Sequence, residues 1–265
     1  MRLLIHRTYE NACRWTADFI VKRISAFAPS QSKPFVLGLP TGSSPLGVYR
    51  HLVADYKAGR ISFSNVVTFN MDEYVGIAPN HPQSYRRFMD DNFFNQTNIN
   101  IENTHVLDGL ARDTEAACAA YEKAIKGFGG IELFLGGIGN NGHLAFNEPG
   151  SSLSSRTRVM TLTSGTRIAN ARFFEGDPQK VPTQALTVGI GTVMDAKEVL
   201  IIVSGRQKAH ALQAAVEGGV SHWCPLSCLQ MHQQAIIVCD EDAAEELRYD
   251  TVRYFKDIEK TEITG

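Results

Sequence analysis

The chain has 265 residues, 43% of them hydrophobic and 20% charged, which is enough apolar material for a sizeable core and too much for intrinsic disorder. A formal net charge of −2 gives no basic field for a nucleic-acid backbone. No apolar run approaches a membrane span, and the opening Met-Arg-Leu-Leu-Ile-His is too short for a secretory leader, so a soluble cytoplasmic protein is expected.

In chain order, residues 35–39 read as a buried strand, followed by a helix over 45–56 with Leu46, Tyr49, Leu52 and Val53 on one face and Gly59 as its stop. Residues 66–69 form a second strand, and 84–94 and 114–126 are helical. A third strand covers 131–135. Further strands are expected at 185–188, 199–203 and 235–238, with helices over 207–217 and 242–255. This alternation predicts an α/β fold: an open, mostly parallel, Rossmann-like sheet with helices on both faces. Residues 1–265 read as a single domain. Residues 150–182 lack a strong strand signal and are expected to form a lid over one end of the sheet.

Cys13, Cys118, Cys224, Cys228 and Cys239 are irregularly spaced. Cys224 and Cys228 have His222 and His232 nearby, but no second ligand pair stands at zinc spacing, so buried thiols are expected and no metal site.

Three rim loops carry chemistry. After the 35–39 strand comes Thr41-Gly42-Ser43-Ser44-Pro45. Hydroxyls, a glycine and a helix start predict an anion site, and the missing lysine excludes a nucleotide P-loop. After the 66–69 strand come Asp72 and Glu73. Neighbours on an extended chain point opposite ways, so only one of them is expected to reach a ligand. After the 131–135 strand comes Gly-Gly-Ile-Gly-Asn-Asn-Gly-His-Leu-Ala-Phe-Asn-Glu-Pro, with His143 and Glu148 as an acid/base candidate pair. Gly137, Gly139 and Gly142 also match the dinucleotide spacing, but no helix pattern opens at Gly142 and no acid follows about 20 residues on. Arg172, and Lys208 beyond the 199–203 strand, are placed to close an anion site with the Thr41–Ser44 loop.

The stretches LGLPTGSSPLGVY, VVTFNMDEYVG, HPQSYRRFM, GGIGNNGHLAFNEPGSSLSSRTR, ANARFF and ALTVGIGTVMDAKEVLIIVSG closely resemble the glucosamine-6-phosphate deaminase family, nearly end to end. The resemblance implies conversion of glucosamine 6-phosphate and water to fructose 6-phosphate and ammonia, without metal or organic cofactor, in what is a homohexamer in many members. It implies that His143 opens the sugar ring, Glu148 supports it, and Asp72 moves the proton between C2 and C1. Thr41, Gly42, Ser43, Ser44, Arg172 and Lys208 match the family's phosphate site.

Two positions depart from the pattern. Position 141, usually Asp, is Asn141. An aspartate there would orient His143 and favour its charged form, so Asn141 is expected to impair ring opening. In activatable members an amino-sugar phosphate binds between subunits at positions matching Ser151, Arg158 and Tyr254 plus a lysine. Met160 stands at the lysine position and cannot pair with a phosphate, so activation is expected to be weak. The alternative reading is a catalytically weak hexose-phosphate binder or sensor on the same fold.

Overall fold

A computed structural model describes residues 1–262. The first half runs β1 (Arg2–His6), α1 (Tyr9–Phe27), β2 (Phe35–Leu39), α2 (Leu46–Lys57), β3 (Val66–Asn70), β4 (Asp72–Tyr74), α3 (Tyr85–Asn92), β5 (Thr104–His105) and α4 (Thr114–Gly127). The second half runs β6 (Leu133–Gly137), β7 (Arg158–Thr161), α5 (Ser164–Asn170), β8 (Gln184–Thr187), α6 (Ile190–Met194), β9 (Glu198–Val203), α7 (Ala209–Glu217), β10 (Ala235–Asp240) and α8 (Tyr249–Ile258).

Seven strands form one parallel sheet in the order β1-β10-β9-β6-β2-β3-β5. Successive side chains of each strand enter opposite cores, because the pleat alternates faces. Leu4, Leu37, Leu135, Leu200 and Val238 pack with Ala17 and Ile20 of α1 and with Val48 and Leu52 of α2. Leu3, Val36, Phe134, Ile201 and Ile237 pack on the other side with Tyr121 of α4, Val193 of α6 and Leu212 of α7. Strands buried on both faces read as unbroken apolar runs, which is why five of these seven strands were visible in the sequence.

From β2 the chain moves outward to β3 and β5, then returns to place β6 on the other side of β2 and continues through β9 to β10. The carboxyl ends of β2 and β6 therefore flank the topological switch point, where open α/β sheets bind ligands.

Three expectations need correction, and two elements were missed. Residues 185–188 do not join the parallel sheet: β8 is the middle strand of a separate antiparallel sheet, β4-β8-β7. A short apolar run carries no information about the direction of its neighbours. The 150–182 segment is not strandless, since β7 lies within it; its Arg-Val-Met-Thr sequence is half-exposed and has no alternation to reveal it. The helix expected over 242–255 begins only at Tyr249, after a run of turns. β1 and α1 were not foreseen, although Thr8 caps α1 by accepting the Asn11 N–H and Ala17, Ile20 and Ile24 supply its buried face.

Residues from the 163–174 segment reach the switch point. Leu162, Ala171, Phe174 and Val181 pack on Tyr74 and Phe146 in a third small core. This core seats the segment without involving the main sheet.

Candidate active site

A cavity of about 820 Å³ opens at the switch point. The loops after β2 and β6, the start of β4, the 163–174 segment and the turn before α7 all contribute to its wall.

At β3 the chain leaves the large sheet. The Met71 N–H donates to Leu39 O, and Val188 N–H donates to Met71 O, so the next residue is fixed between the two sheets. Asp72 then pairs across β4 with Thr187, and its side chain reaches the cavity wall. Glu73 points away. Its carboxylate accepts the backbone N–H groups of Tyr74, Tyr85 and Arg86 at 2.9–3.0 Å and so caps α3. Only one member of the pair meets the cavity, as alternation required. Burial, with the Glu73 charge next door, pushes the Asp72 carboxyl up to about 8.

After β6 the glycines have a different task from holding a dinucleotide. The His143 ring lies directly on Gly139, where a Cβ would sit 2.0–2.4 Å from the imidazole atoms. Gly142 turns the chain at φ 81°, and Gly139 N–H donates to His143 O at 3.0 Å. No helix opens here. Asn147 ties the same loop to Leu144 O and Val188 O. Burial holds the His143 imidazolium down relative to an ordinary histidine, and the Lys208 charge adds to this while Glu148 opposes it. The ring is thereby kept neutral and able to accept a proton.

Glu148 stands 3.8 Å from His143 Nδ1, longer than a hydrogen bond. One carboxylate oxygen accepts Asn141 Nδ2 at 2.8 Å; the other accepts the Thr166 hydroxyl of α5. Asn141 was expected to act on the imidazole. Its amide instead donates to Glu148 and accepts the backbone N–H of His143 at 3.2 Å, so it orients the carboxylate and the loop rather than the ring. Thr166 was missed, because a threonine in a polar helix has no sequence signal until the fold brings it to Glu148.

Two cations also line the cavity. Thr41, Gly42, Ser43 and Ser44 line it with Arg172 and Lys208, and Lys208 Nζ donates to Ser44 Oγ at 2.7 Å. The Arg172 guanidinium lies 4.7 Å from the Phe173 ring. Burial and Arg172 push Lys208 down to about 8, with Asp240 pulling the other way. One expected N–H donor is not available to a ligand: Gly47 at the start of α2 donates to the Tyr9 hydroxyl at 2.9 Å, and that hydroxyl donates to Ser44 O. Tyr9 thus clamps the loop, another contribution hidden in the sequence.

The remaining positions lie elsewhere. Ser151 is buried beside the Glu148 turn, and Arg158 and Met160 lie on β7, which packs against α4. Tyr254 is 60% exposed on α8, which packs against β1. All five cysteines are buried single thiols.

The fold and site define an open α/β protein with one carboxylate, a histidine 3.8 Å from a second, and an arginine and a lysine beside a Thr-Gly-Ser-Ser loop, all around one cavity. The chain belongs to the family of glucosamine-6-phosphate isomerases and 6-phosphogluconolactonases, whose pattern matches residues 7–238. It is 59% identical to the glucosamine-6-phosphate deaminase of Treponema denticola over 99% of this chain and 97% of that one. The same identity holds for the glucosamine-6-phosphate deaminase of Phocaeicola vulgatus, over 99% and 100% of the two chains. Among solved structures, a glucosamine-6-phosphate deaminase described as monomeric superposes with a TM-score of 0.86 at 39% identity, covering 94% of this chain and all of that one.

Proposed function

We propose that this chain converts glucosamine 6-phosphate and water to fructose 6-phosphate and ammonia. The observation that carries the reading is the placement of Asp72 and His143 on the same cavity as Lys208, Arg172 and the Thr41–Ser44 loop. That cavity is suited to a hexose bearing one phosphate.

The roles follow from the chemistry of each group. Neutral His143 takes the proton of the anomeric hydroxyl and returns it to the ring oxygen, which opens the sugar. Glu148, fixed by Asn141 and Thr166, stabilises the imidazolium formed between those two transfers. Asp72, ionised, removes the proton from C2 of the open aldehyde while the substrate's ammonium gives a proton to the carbonyl oxygen, forming an enolamine, and Asp72 then returns its proton to C1. The product carries an imine at C2. Water adds to that carbon, and ammonia leaves. A carboxyl that titrates at about 8 is well matched to taking and giving back the same proton.

The reading extends to cytoplasmic amino-sugar breakdown and to the homohexamer implied by the sequence resemblance. Light scattering on the purified chain decides between that assembly and a monomer. The activity itself is tested by coupled assay of ammonia and fructose 6-phosphate from glucosamine 6-phosphate. Equal amounts of both are expected. Thermal stabilisation by the sugar phosphate without ammonia would leave a binding protein instead.

A further inference from the structure

Resting on that reading of Lys208 and Arg172, we propose that Asp240, at the carboxyl end of β10, is a positioning residue for Lys208. Asp240 is 4% exposed and lies outside the cavity wall. Its carboxylate accepts the Ser204 hydroxyl, the Gly205 N–H at 3.0 Å and the Ala243 N–H at 2.9 Å. The first two donors belong to the turn that leaves β9. Gly205 adopts φ 87°, open only to glycine at low cost, and its carbonyl accepts the Lys208 N–H at 3.0 Å. The turn aims Lys208 across the switch point at Ser44, on the far side of the β2–β6 crevice. A buried carboxylate on one strand thus fixes the direction of an ammonium carried by the next.

The same group supplies charge. Lys208 is faced by Arg172 from the 171–173 turn, by His143 from the loop after β6, and by Asp240. His6, the register partner of Asp240 on β1, is held neutral by burial. Arg172 repels the ammonium. Asp240 is the carboxylate that offsets this repulsion, and its loss makes Lys208 easier to deprotonate.

Two substitutions separate geometry from charge. Asp240→Asn keeps an acceptor for Gly205 and Ala243 and puts an N–H donor where the Ser204 hydroxyl was accepted, a bond the serine oxygen can accept in turn, so the turn keeps its anchor and the charge is lost. Asp240→Ala removes the anchor of the turn. The probe is glucitol 6-phosphate, which has no carbonyl or amine to react, titrated calorimetrically into the full chain at pH 6.5 and pH 8.5. For Asp240→Asn, affinity at pH 6.5 is expected to equal or exceed wild type, and at pH 8.5 to fall at least five-fold below it. For Asp240→Ala, affinity is expected to fall ten-fold or more at both pH values. An Asn variant weakened by the same factor at both pH values, or at neither, overturns the proposal while the phosphate reading stands. Wild-type protein that fails to bind glucitol 6-phosphate overturns the phosphate reading and this proposal together. Circular dichroism melts identify a variant that has lost its fold; if Asp240→Ala has, Lys208→Arg with Asp240→Asn serves in its place. An arginine does not titrate in this range, so the double variant is expected to lose the pH dependence. If the dependence persists, the charge does not act through residue 208.

Discussion

A carboxyl that titrates at about 8 in the native protein and near 3.8 when unfolded takes up a proton on folding throughout the interval between those values. Stability depends on pH through the difference in bound protons, so it falls as pH rises across that interval and levels off above 8. Asp72→Asn removes this slope. The variant is expected to melt higher than wild type, by an amount that grows from pH 4 to pH 8, on a scale of roughly 2–4 °C per kcal/mol for a domain of this size. It is also expected to bind sugar phosphate within a few-fold and to lose exchange of the C2 proton with solvent. Normal exchange would remove Asp72 from its role. Position 141 gives the opposite test. Asn141→Asp adds a negative charge beside Glu148 and close to His143, so the imidazole pKa is expected to rise, as read from the ring-proton titration by NMR. An unshifted titration would mean that residue 141 acts on the loop alone. Asp72, His143 and the Thr41–Ser44 loop were legible because strand ends carry them, whereas Thr166, on α5, was not. Asn141's actual partner was not, since the sequence cannot say which of two neighbouring polar groups an amide side chain will face.

At the scale of elements, β4 joins the chemistry to a helix. Glu73 uses its carboxylate on the first N–H groups of α3, and its charge raises Asp72. Glu73→Ala is expected to lower stability by about 1–3 kcal/mol, the value of hydrogen bonds to a charged group at a helix start. The same change removes the repulsion on Asp72, so the acid limb of kcat/KM is expected to move to lower pH. Urea unfolding and a pH–rate profile check the two halves, and an unmoved acid limb would detach Glu73 from the base. The apolar strands and the amphipathic helices α2 and α4 were legible from their patterns. The small sheet was not. Its three strands are 3–4 residues long, and the β4–β8 pairing joins segments more than 100 residues apart, which no local pattern encodes.

For the molecule as a whole, the site joins groups from both halves of a sheet divided at its switch point. Asp72, from the β3 side, acquires its charge as pH rises through about 8; Lys208, from the β9 side, loses its own over the same range. The free-enzyme profile of kcat/KM is therefore expected to be a narrow bell centred near 8. Lys208→Arg is expected to abolish the falling limb, and a falling limb that survives would trace to another group. Open parallel architecture was readable from strand–helix alternation, and with it the rim on which the site lies; the strand order was not, because it is settled by long-range packing. That order has a consequence for how the chain is made. β1 is an edge strand, and its neighbour is β10, with Arg2 opposite Ile236 and His6 opposite Asp240. During synthesis β1 emerges long before that partner exists, so its row of amides and carbonyls waits, unladdered, while more than two hundred further residues are added. Through that interval β1 is open to a chaperone or to a stray strand from another nascent chain, and its place at the sheet edge is filled only once β10 has been made.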